Sequence, residues 1–529
     1  MNKKIYLSIL ALIILFRIQS QTTFNNRFSL GFPNSILTSL VISDSIIYTS
    51  GVISDSSEFN SVGALFAKFD LNGNFIDAST VVDLETAFQP WPPFLHKIDE
   101  DCFVVCGTAN NANEGDRGFL IKYDIDGNPL LIKQYPNPYY PDETFIATLA
   151  MSPTIDGGYI SVSNIQNLGA YNAQIYASKF DENFNLEWDT EVGTNFNELS
   201  RVVIIDQEDG FIVGGWRNNK NQVNYNFISQ VYLFKLNSLG EIMWEYLSPE
   251  EECWKYANDM LLLDDKSLIV SSNTCWEWKF PSGPNDSLGI QMWRNTIFKL
   301  DSLHNRVWTR SFTNGWDAPQ NENARIVQAL DQSGYVAVGL QFLADSTVAG
   351  ADQNFGWLTK VSEDGDSLWA RYLYILDDIK HHRHKVHDLK ACPDGGYVMC
   401  GEAVDQSPGG IEPRQQAWLL KVDEYGCLVP GCQGVINDVE EGEEERRAEW
   451  LLYPNPATDY LNVFFRAPEV SPSGVFRIWD HQGHLMKEFK AQMPEITMIV
   501  PLSNWPAGTY VLQYLEKGKP VLMEQFVKQ

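Results

Sequence analysis

The stretch Lys235-Leu-Asn-Ser-Leu-Gly-Glu-Ile-Met-Trp-Glu-Tyr246 decides the fold of this chain. It contains the end of one apolar strand, a polar turn and a second strand that carries Trp244. The pattern recurs six more times, in segments that begin at Lys68, Lys122, Lys179, Lys299, Lys360 and Lys421. Successive copies lie 54 to 64 residues apart. A repeat of this period predicts one supersecondary unit per copy, stacked on its neighbours.

A second β-hairpin precedes these segments, most clearly over residues 201–216, where two β-branched runs flank an Asp-Gly turn. Two hairpins per repeat make a four-stranded antiparallel sheet that must bury both faces against neighbouring sheets. Radial stacking of such sheets gives a β-propeller. We therefore predict an all-β protein whose residues 21–433 form a seven-bladed β-propeller.

The last repeat is incomplete, because no outer strand with an aromatic residue follows Gly426. Residues 21–31 include TFNNRFSLG, which is similar to the outer strands of other repeats. We predict that residues 24–30 supply the missing outer strand of the last blade. Ring closure of this kind removes the free edges of an open array. The alternative is an N-terminal tail outside the sheets.

Four repeats place a tryptophan nine residues after the repeated lysine. A large ring on an outer strand buries about 150–250 Å² when it packs against the next blade. Blade packing is therefore the predicted role, and ligand stacking is the alternative. The four residues are Trp188, Trp244, Trp308 and Trp369.

Composition and chain ends indicate an exported globular protein. The 529 residues carry a net charge of −29, which disfavours nucleic acid and anionic membranes as partners. A basic start and an apolar run within residues 1–20 predict a signal peptide, and no later run is long enough for a transmembrane helix. Residues 434–449 are acidic and predict a solvated linker.

Eight cysteines in an exported chain favour disulfides. Their positions suggest the pairs Cys427–Cys432, Cys392–Cys400 and Cys253–Cys275. Cys102 and Cys106 lie four residues apart, about 13 Å in a strand, which is too far for a bond. These two are predicted to be buried thiols.

Residues 450–529 show short strands and turn signals that predict a small Ig-like β-sandwich. Its motifs include Pro454-Asn455-Pro456 and the Gly508-Thr-Tyr510 segment. These residues resemble the C-terminal sorting domain of type IX secretion substrates of Gram-negative Bacteroidota. The resemblance implies export by the type IX secretion machinery to the extracellular or outer-membrane surface, often with attachment to surface lipopolysaccharide. It does not imply an activity.

No motif predicts a catalytic or cofactor-binding residue. The repeats are similar to those of quinoprotein dehydrogenases and of sialidase-like Asp-box propellers, but they lack an adjacent Cys pair and a repeated arginine set. His381, His384 and His387 are weak candidates for a transition metal, and a solvated polar loop is the favoured alternative. Asp70 and Asp124 lie in segments faintly similar to calcium loops, but turn chemistry explains their recurrence.

The aromatic-rich segments 88–94 and 276–293 are predicted connections that either bind ligand or cap the core. The favoured function is a secreted or surface-attached binding or adhesion module for a glycan or protein ligand. The alternative is an extracellular polysaccharide hydrolase or lyase that uses the propeller mouth. A structural role in a surface layer is a third hypothesis.

Overall fold

The computed structural model describes residues 22–54, 61–83, 86–111, 115–135, 144–167, 173–194, 197–206, 210–218, 229–249, 256–279, 290–312, 322–342, 354–376, 382–406, 415–428, 449–458, 460–466, 474–480, 483–490, 495–516 and 519–529. Every regular element in this part of the chain is a β-strand, so the protein is all-β as predicted. The signal-peptide prediction for residues 1–20 and the linker prediction, apart from Glu449, lie outside it.

The N-terminal region consists of four-stranded antiparallel units, each built from strands that follow one another along the chain. Strand β1 is Phe24–Phe28. The first three units contain β2 Asn34–Ser43, β3 Ile46–Ser54, β4 Ser61–Asp70 and β5 Phe75–Val82; then β6 Thr86–Lys97, β7 Cys102–Asn111, β8 Gly115–Asp124 and β9 Pro129–Tyr135; then β10 Thr144–Pro153, β11 Tyr159–Asn167, β12 Ala173–Phe180 and β13 Leu186–Val192.

The next three units repeat the same meander. They contain β14 Glu198–Asp206, β15 Gly210–Asn218, β16 Ser229–Leu236 and β17 Ile242–Leu247; then β18 Asp259–Leu262, β19 Leu268–Lys279, β20 Ile290–Leu300 and β21 Arg306–Phe312; then β22 Glu322–Gln328, β23 Tyr335–Phe342, β24 Asn354–Val361 and β25 Ser367–Leu373. The last unit contains β26 His382–Ala391, β27 Tyr397–Asp405 and β28 Gln415–Val422.

The fourth strand of the last unit comes from the opposite end of the chain. Strand β1 pairs antiparallel with β28, with Phe24 opposite Lys421 and Phe28 opposite Ala417. β1 is therefore the edge strand next to β28. A single parallel bridge between Asn354 and Arg383 joins this unit to the one before it, and the two form one eight-stranded sheet.

Neighbouring units are held together by side chains rather than by a continuous ladder. In chain order, adjacent units share hydrophobic clusters, and the first unit shares one with the last, including Leu37 and Leu419. The innermost strands β2, β6, β10, β14, β18, β22 and β26 lie beside one another in that order, and β26 lies beside β2. Among the described residues, hydrogen-bonded sheets do not close into one barrel.

The repeated lysine of each third strand has a structural role that its sequence position did not reveal. It reaches the aspartate at the turn of the first hairpin in the same unit. Lys179 Nζ lies 2.8 Å from Asp156 Oδ2, and Lys235 Nζ lies 2.9 Å from Asp206 Oδ2. Lys421 contacts Asp394 in the same way. In these three units an ion pair therefore links the two hairpins, whereas Lys68 of the first unit lies 3.9 Å from Asp77 on the fourth strand.

The aromatic residue opposite the repeated lysine packs on the next unit. Trp188 Nε1 donates to the carbonyl of Ser238, 3.0 Å away, in the β16–β17 turn. Trp308 Nε1 donates to the backbone carbonyl of Glu363, 3.1 Å away, in the β24–β25 turn. A Cβ built at Gly365 in that turn would lie 2.5 Å from Trp308 Cδ2, so only glycine allows the ring this close.

Aromatic residues of other units also pack against the turn of the next unit. The Trp369 ring lies against Gly426, and the Trp244 ring centroid is 3.9 Å from that of His304. Phe24 on β1 lies against Gly73, in the β4–β5 turn of the first unit. The N-terminal strand therefore provides both the last edge strand and the aromatic contact that links the last unit to the first.

The C-terminal module folds as two sheets around its own core. One sheet has the order β29 Glu449–Tyr453, β30 Tyr460–Arg466 and β33 Glu495–Pro501. The other has the order β32 Leu485–Lys490, β31 Val475–Asp480, β34 Gly508–Glu516 and β35 Lys519–Lys528. Phe465, Phe476 and Tyr514 form the centre of the shared core. The described part of residues 450–529 thus folds into short strands, as the sequence predicted.

Replacing Gly365 with alanine tests the packing of tryptophan on the next turn. We use 'the ring' for the cyclic series of four-stranded units in residues 22–428. We expect Gly365→Ala to destabilise the ring by about 2–4 kcal/mol, because the new methyl group adds overpacking to the strain of a positive φ. Gly157→Ala is the matched control, since φ is +85° there and +87° at Gly365 but no atom lies within 4 Å. That control should cost about 1 kcal/mol. Urea unfolding measures both, and equal losses would contradict the proposed contact.

Candidate functional site at the ring centre and its two ends

Seven residues occupy the same register on the innermost strands, one from each unit. We call them the central layer: Ser39, Phe94, Ala150, Val202, Asp259, Arg325 and Asp388. In six of the seven strands the pairing register shifts just before this residue, as at a β-bulge. Bulges re-aim side chains, which explains how residues of separate sheets meet here.

Asp388 is fully buried and its carboxylate is saturated with hydrogen bonds. Its Oδ2 accepts from Ser39 Oγ at 2.7 Å and from the Leu40 N–H at 2.8 Å. Its Oδ1 accepts from the Leu389 N–H at 2.8 Å and from Lys390 Nζ at 2.9 Å. Burial by itself raises the pKa of Asp388, but Lys390, Arg325 and these bonds lower it overall. The group is therefore an ionised carboxylate whose acceptor sites are all used.

Arg325 connects Asp388 to two other units. Its Nε lies 3.6 Å from Asp388 Oδ1, and its Nη1 lies 3.7 Å from Asp259 Oδ1. The guanidinium carbon lies 4.9 Å from the centroid of the Phe94 ring, within cation–π range. Asp259 Oδ2 accepts the Ile326 N–H at 2.9 Å. The side chains of four units thus meet at Arg325.

Charge is balanced within this cluster. Asp259 and Asp388 face Arg325 and Lys390, and His96 beside them is neutral. Burial lowers the pKa of His96 to about 4, against the opposing effect of a hydrogen bond with the Met151 carbonyl. That bond joins His96 Nε2 to the Met151 oxygen over 2.7 Å. A general acid or base needs a lone pair or proton within reach of substrate, and Asp388 has committed its acceptors to the protein.

The two ends of the units differ in their connections. At one end, the turns between third and fourth strands share one design. The carboxylates of Asp70, Asp124, Asp181 and Asp301 each accept the backbone N–H four residues later, at 2.7–2.9 Å. The asparagine at that later position also binds the same carboxylate in the calcium-like segments. The turn interpretation of Asp70 and Asp124 is therefore confirmed.

At the opposite end, the connections between second and third strands vary in length. They range from three residues (112–114) to eleven (343–353). Uniform turns at one end and varied connections at the other separate a scaffold side from a variable side.

The solvated-loop interpretation of the histidine cluster is wrong for its described part. Residues His382 to His387 belong to β26, an innermost strand, in which His382, His384 and His387 are buried. His384 Nε2 accepts the Leu376 N–H at 3.1 Å, while His387 Nε2 lies 3.5 Å from Glu402 Oε1. His384 and His387 thus face different partners. The described residues contain no group of three potential metal ligands, and His381 lies outside them.

The predicted Cys392–Cys400 disulfide is wrong, because both thiols are free. Cys400 pairs with Asp388, whereas Cys392 lies beyond the end of β26 and bonds to Gly396. The two positions are therefore separated by about four residues along the hairpin, roughly 13 Å. Cys102 and Cys106 are also free, and Cys106 is buried while Cys102 is partly exposed.

The other two disulfide predictions are not tested. Cys432 and Cys253 lie outside the described residues, as does the side chain of Cys275. The aromatic segment 88–94 lies inside β6, and 276–293 contributes to β19 and β20, so neither is simply a connection. Phe88 and Phe94 are buried.

The sorting-motif residues organise the edge of the C-terminal module. Asn455 Oδ1 accepts the Val527 N–H at 2.9 Å, and its Nδ2 donates to the Gln525 carbonyl at 3.2 Å. Tyr510 Oη donates to the Pro506 carbonyl at 2.7 Å. Asn455 and Pro456 are joined by a cis peptide bond. Asn455 therefore secures the last strand, β35, to the start of the module.

Residues 451–529 match the family described as "Secretion system C-terminal sorting domain". A tail of this family implies a secreted or cell-surface protein. We refer to residues 449–529 as the sorting domain from here on. No helix among the described residues has the length and apolarity to cross a membrane. No curated protein matches the chain.

Several solved structures show distant similarity. The polysaccharide lyase Uly1 has 7% identity and a TM-score of 0.41, over 73% of this chain and 90% of that one. PorZ, a surface component of the type IX secretion system of Porphyromonas gingivalis, has 11% identity and a TM-score of 0.23, over 93% and 75%. The β-propeller domain of the Trilobed protease from Pyrococcus furiosus has 10% identity and a TM-score of 0.39, over 75% and 98%. Similarities this distant carry no functional information.

Sequence analysis missed the central layer. Its charged residues come from three different repeats and share no motif. The available signal was positional: in VHDLKA and ENARIV, Asp388 and Arg325 stand in innermost strands at a position that four other repeats fill with small or apolar residues. Aligning the seven first strands by register would have exposed the pattern.

Removing the charge of Asp388 tests whether the central layer is structural. We expect Asp388→Asn to destabilise the ring by about 3–5 kcal/mol, because Arg325 and Lys390 then lose a buried counter-charge. The control is Asp366→Asn, which removes an exposed partner 3.6 Å from Arg310. It should cost at most about 1 kcal/mol. Chemical denaturation measures both, and a small loss at Asp388 would show that the cluster is not structural.

Acid should weaken the ring through its buried histidines. Burial lowers the pKa of His384 to about 3 from 6.5, so the folded form binds the proton less readily than the unfolded chain. Stability should therefore fall as the pH drops from 6.5 towards 3, by about 1.4 kcal/mol per pH unit for this residue. His384→Gln should reduce that slope, whereas His484→Gln, at an exposed position, should not. Unfolding curves between pH 7 and pH 4 provide the measurement, and an unchanged slope in His384→Gln would contradict this account.

Proposed function

We propose that this protein is a secreted or cell-surface binding module, with a glycan or protein ligand, built on a seven-bladed β-propeller. The proposal extends the propeller over residues 21–433, with β1 as the outer strand of the last blade. It is supported by the cyclic order of the innermost strands and by the hydrophobic cluster shared between first and last units. The sorting domain is proposed to be an Ig-like sandwich.

The observation that carries the binding proposal is the occupied ring centre. Asp259, Arg325, Asp388 and Lys390 pair with one another, so their charge stabilises the scaffold and is not presented to a substrate. A ligand or substrate pocket needs a few polar groups that remain free to bind the ligand. This chain uses the corresponding residues for packing.

Ligand recognition is proposed to use the variable end of the units. The connections between second and third strands differ from repeat to repeat, as in recognition surfaces displayed by a rigid scaffold. Three long connections, 219–228, 280–289 and 343–353, join the second and third strands of three successive units. The opposite end has uniform turns and is proposed to contribute no ligand contacts.

Export is proposed to follow from the two chain ends. A signal peptide at residues 1–20 would bring the chain across the inner membrane, and the type IX machinery would recognise the sorting domain. The destination proposed is the extracellular or outer-membrane surface of a Gram-negative bacterium of the Bacteroidota, with lipopolysaccharide as a candidate anchor.

Binding without turnover is the test. The full mature chain is screened on a glycan array and against extracellular proteins, and in parallel for reducing ends and unsaturated products from polysaccharides. We expect a binder and no product. Shortening 343–353 to the length of 112–114 should weaken binding more than tenfold, whereas Gly157→Ala at the opposite end should leave it unchanged. Turnover of any polysaccharide would overturn the binding proposal in favour of a hydrolase or lyase.

A further inference from the structure

Tyr374, directly after strand β25, touches three separately encoded parts of the protein. Its backbone carbonyl accepts Asn25 Nδ2 of β1 at 2.8 Å. Its ring lies edge-on to His384 of β26, with centroids 6.4 Å apart. Its phenol oxygen accepts the backbone N–H of Asn455 in the sorting domain at 2.7 Å. One residue thus contacts the strand that completes the last unit and the domain that follows it.

Strand β1 is fixed at this point by polar contacts as well as by its ladder. Asn25 Oδ1 accepts Trp418 Nε1 at 2.6 Å, and the Trp418 ring lies edge-on to His384. Thr23 Oγ1 donates to the Leu428 carbonyl at 2.6 Å. His384 in turn accepts the N–H of Leu376, two residues after Tyr374. The position of Tyr374 therefore depends on β1 and on β26 together.

In the sorting domain, the donor to Tyr374 is the backbone N–H of Asn455, a residue whose side chain is bonded to the last strand. The side chain of Asn455 is bound at both ends to β35, through Val527 and Gln525, and its backbone N–H faces the phenol of Tyr374. Ala457 adds two backbone bonds to the last strand, with Val527 and with Gln529. A shift of Asn455 would consequently disturb the edge strand β35.

Charged side chains of the two parts of the chain also influence one another. Arg371 of β25 packs over the Trp369 ring, with its guanidinium carbon 5.5 Å from the centroid. Burial raises the pKa of Glu524 to about 7, and the positive charge of Arg371 opposes that rise. Burial also lowers the pKa of Arg371, against the attraction of Asp423 and Glu524.

We propose that the sorting domain docks beside the end of β25 through Tyr374, and that docking depends on β1 being in place. A ring closed by its N-terminal strand would then carry its sorting domain in a fixed position. A ring without β1 would leave Tyr374 unsupported and the sorting domain undocked. The sorting domain would therefore be docked only in chains whose strand β1 has paired with β28.

Hydrogen–deuterium exchange on the full mature chain tests both parts of the proposal. Tyr374→Phe removes only the phenol acceptor and should accelerate exchange in the segment 449–458 about fivefold, with 22–30 unchanged. Asn25→Ala alters the β1 side alone and should accelerate exchange in 22–30 and also in 449–458. Tyr425→Phe, in an exposed turn, is the matched control and should alter neither segment.

Peptides from β19 and β20 report global folding in every sample. If Asn25→Ala accelerates exchange there too, Thr23→Val replaces it as the milder variant. Unchanged exchange of 449–458 in Tyr374→Phe would overturn docking through Tyr374. Faster exchange in 22–30 without any change in 449–458 would overturn the dependence on β1, in whichever of the two variants stays folded.

Discussion

The contact between an outer-strand aromatic ring and the turn of the next unit holds this architecture together. Each four-stranded unit is a meander with two faces to bury, and its own ladder does nothing to attach it to a neighbour. The four tryptophans are partly buried, so each removes only part of its about 150–250 Å² from water, at about 25 cal/mol per Å². A surface ion pair contributes at most about 1 kcal/mol, so the rings and the hydrophobic clusters that adjacent units share decide how the units associate. Gly240, Gly365 and Gly426 leave the space that the rings occupy.

Strand β1 extends that interaction across the chain ends. Because Phe24 lies opposite Lys421, it occupies the same register as Trp369 opposite Lys360, and it meets the Gly73 turn as Trp308 meets the Gly365 turn. The last unit thereby gains both its edge strand and its contact with the first. Association of the last unit with the first therefore depends on residues 389 to 397 positions apart in the chain, and bringing such distant residues together carries a loop-closure entropy.

The ring centre shows how a polar core can serve stability. Charges from three units alternate in sign, and the carboxylate of Asp388 accepts bonds from the first and last units at once. Such a cluster tolerates burial only when every partner is present, so it favours one arrangement of units over others. The recognition surface that we propose lies away from this cluster, at the variable end, and the sorting domain contacts the units at Tyr374.

The sequence by itself determined the repeat unit, its hairpins, the strands of the sorting domain and the pairing partner sought by residues 24–30. These depend on local alternation, turn residues and period, which a single chain displays directly. Only the tertiary structure decided that Asp259, Arg325 and Asp388 meet, that the repeated lysine binds the turn aspartate, and that His384 is buried rather than solvated. It also decided that Cys392 and Cys400 stay apart, because the hairpin register pairs Cys400 with Asp388, four residues before Cys392. Contacts between repeats depend on register and on which strand lies next to which, and neither property is written in the residues of any one repeat.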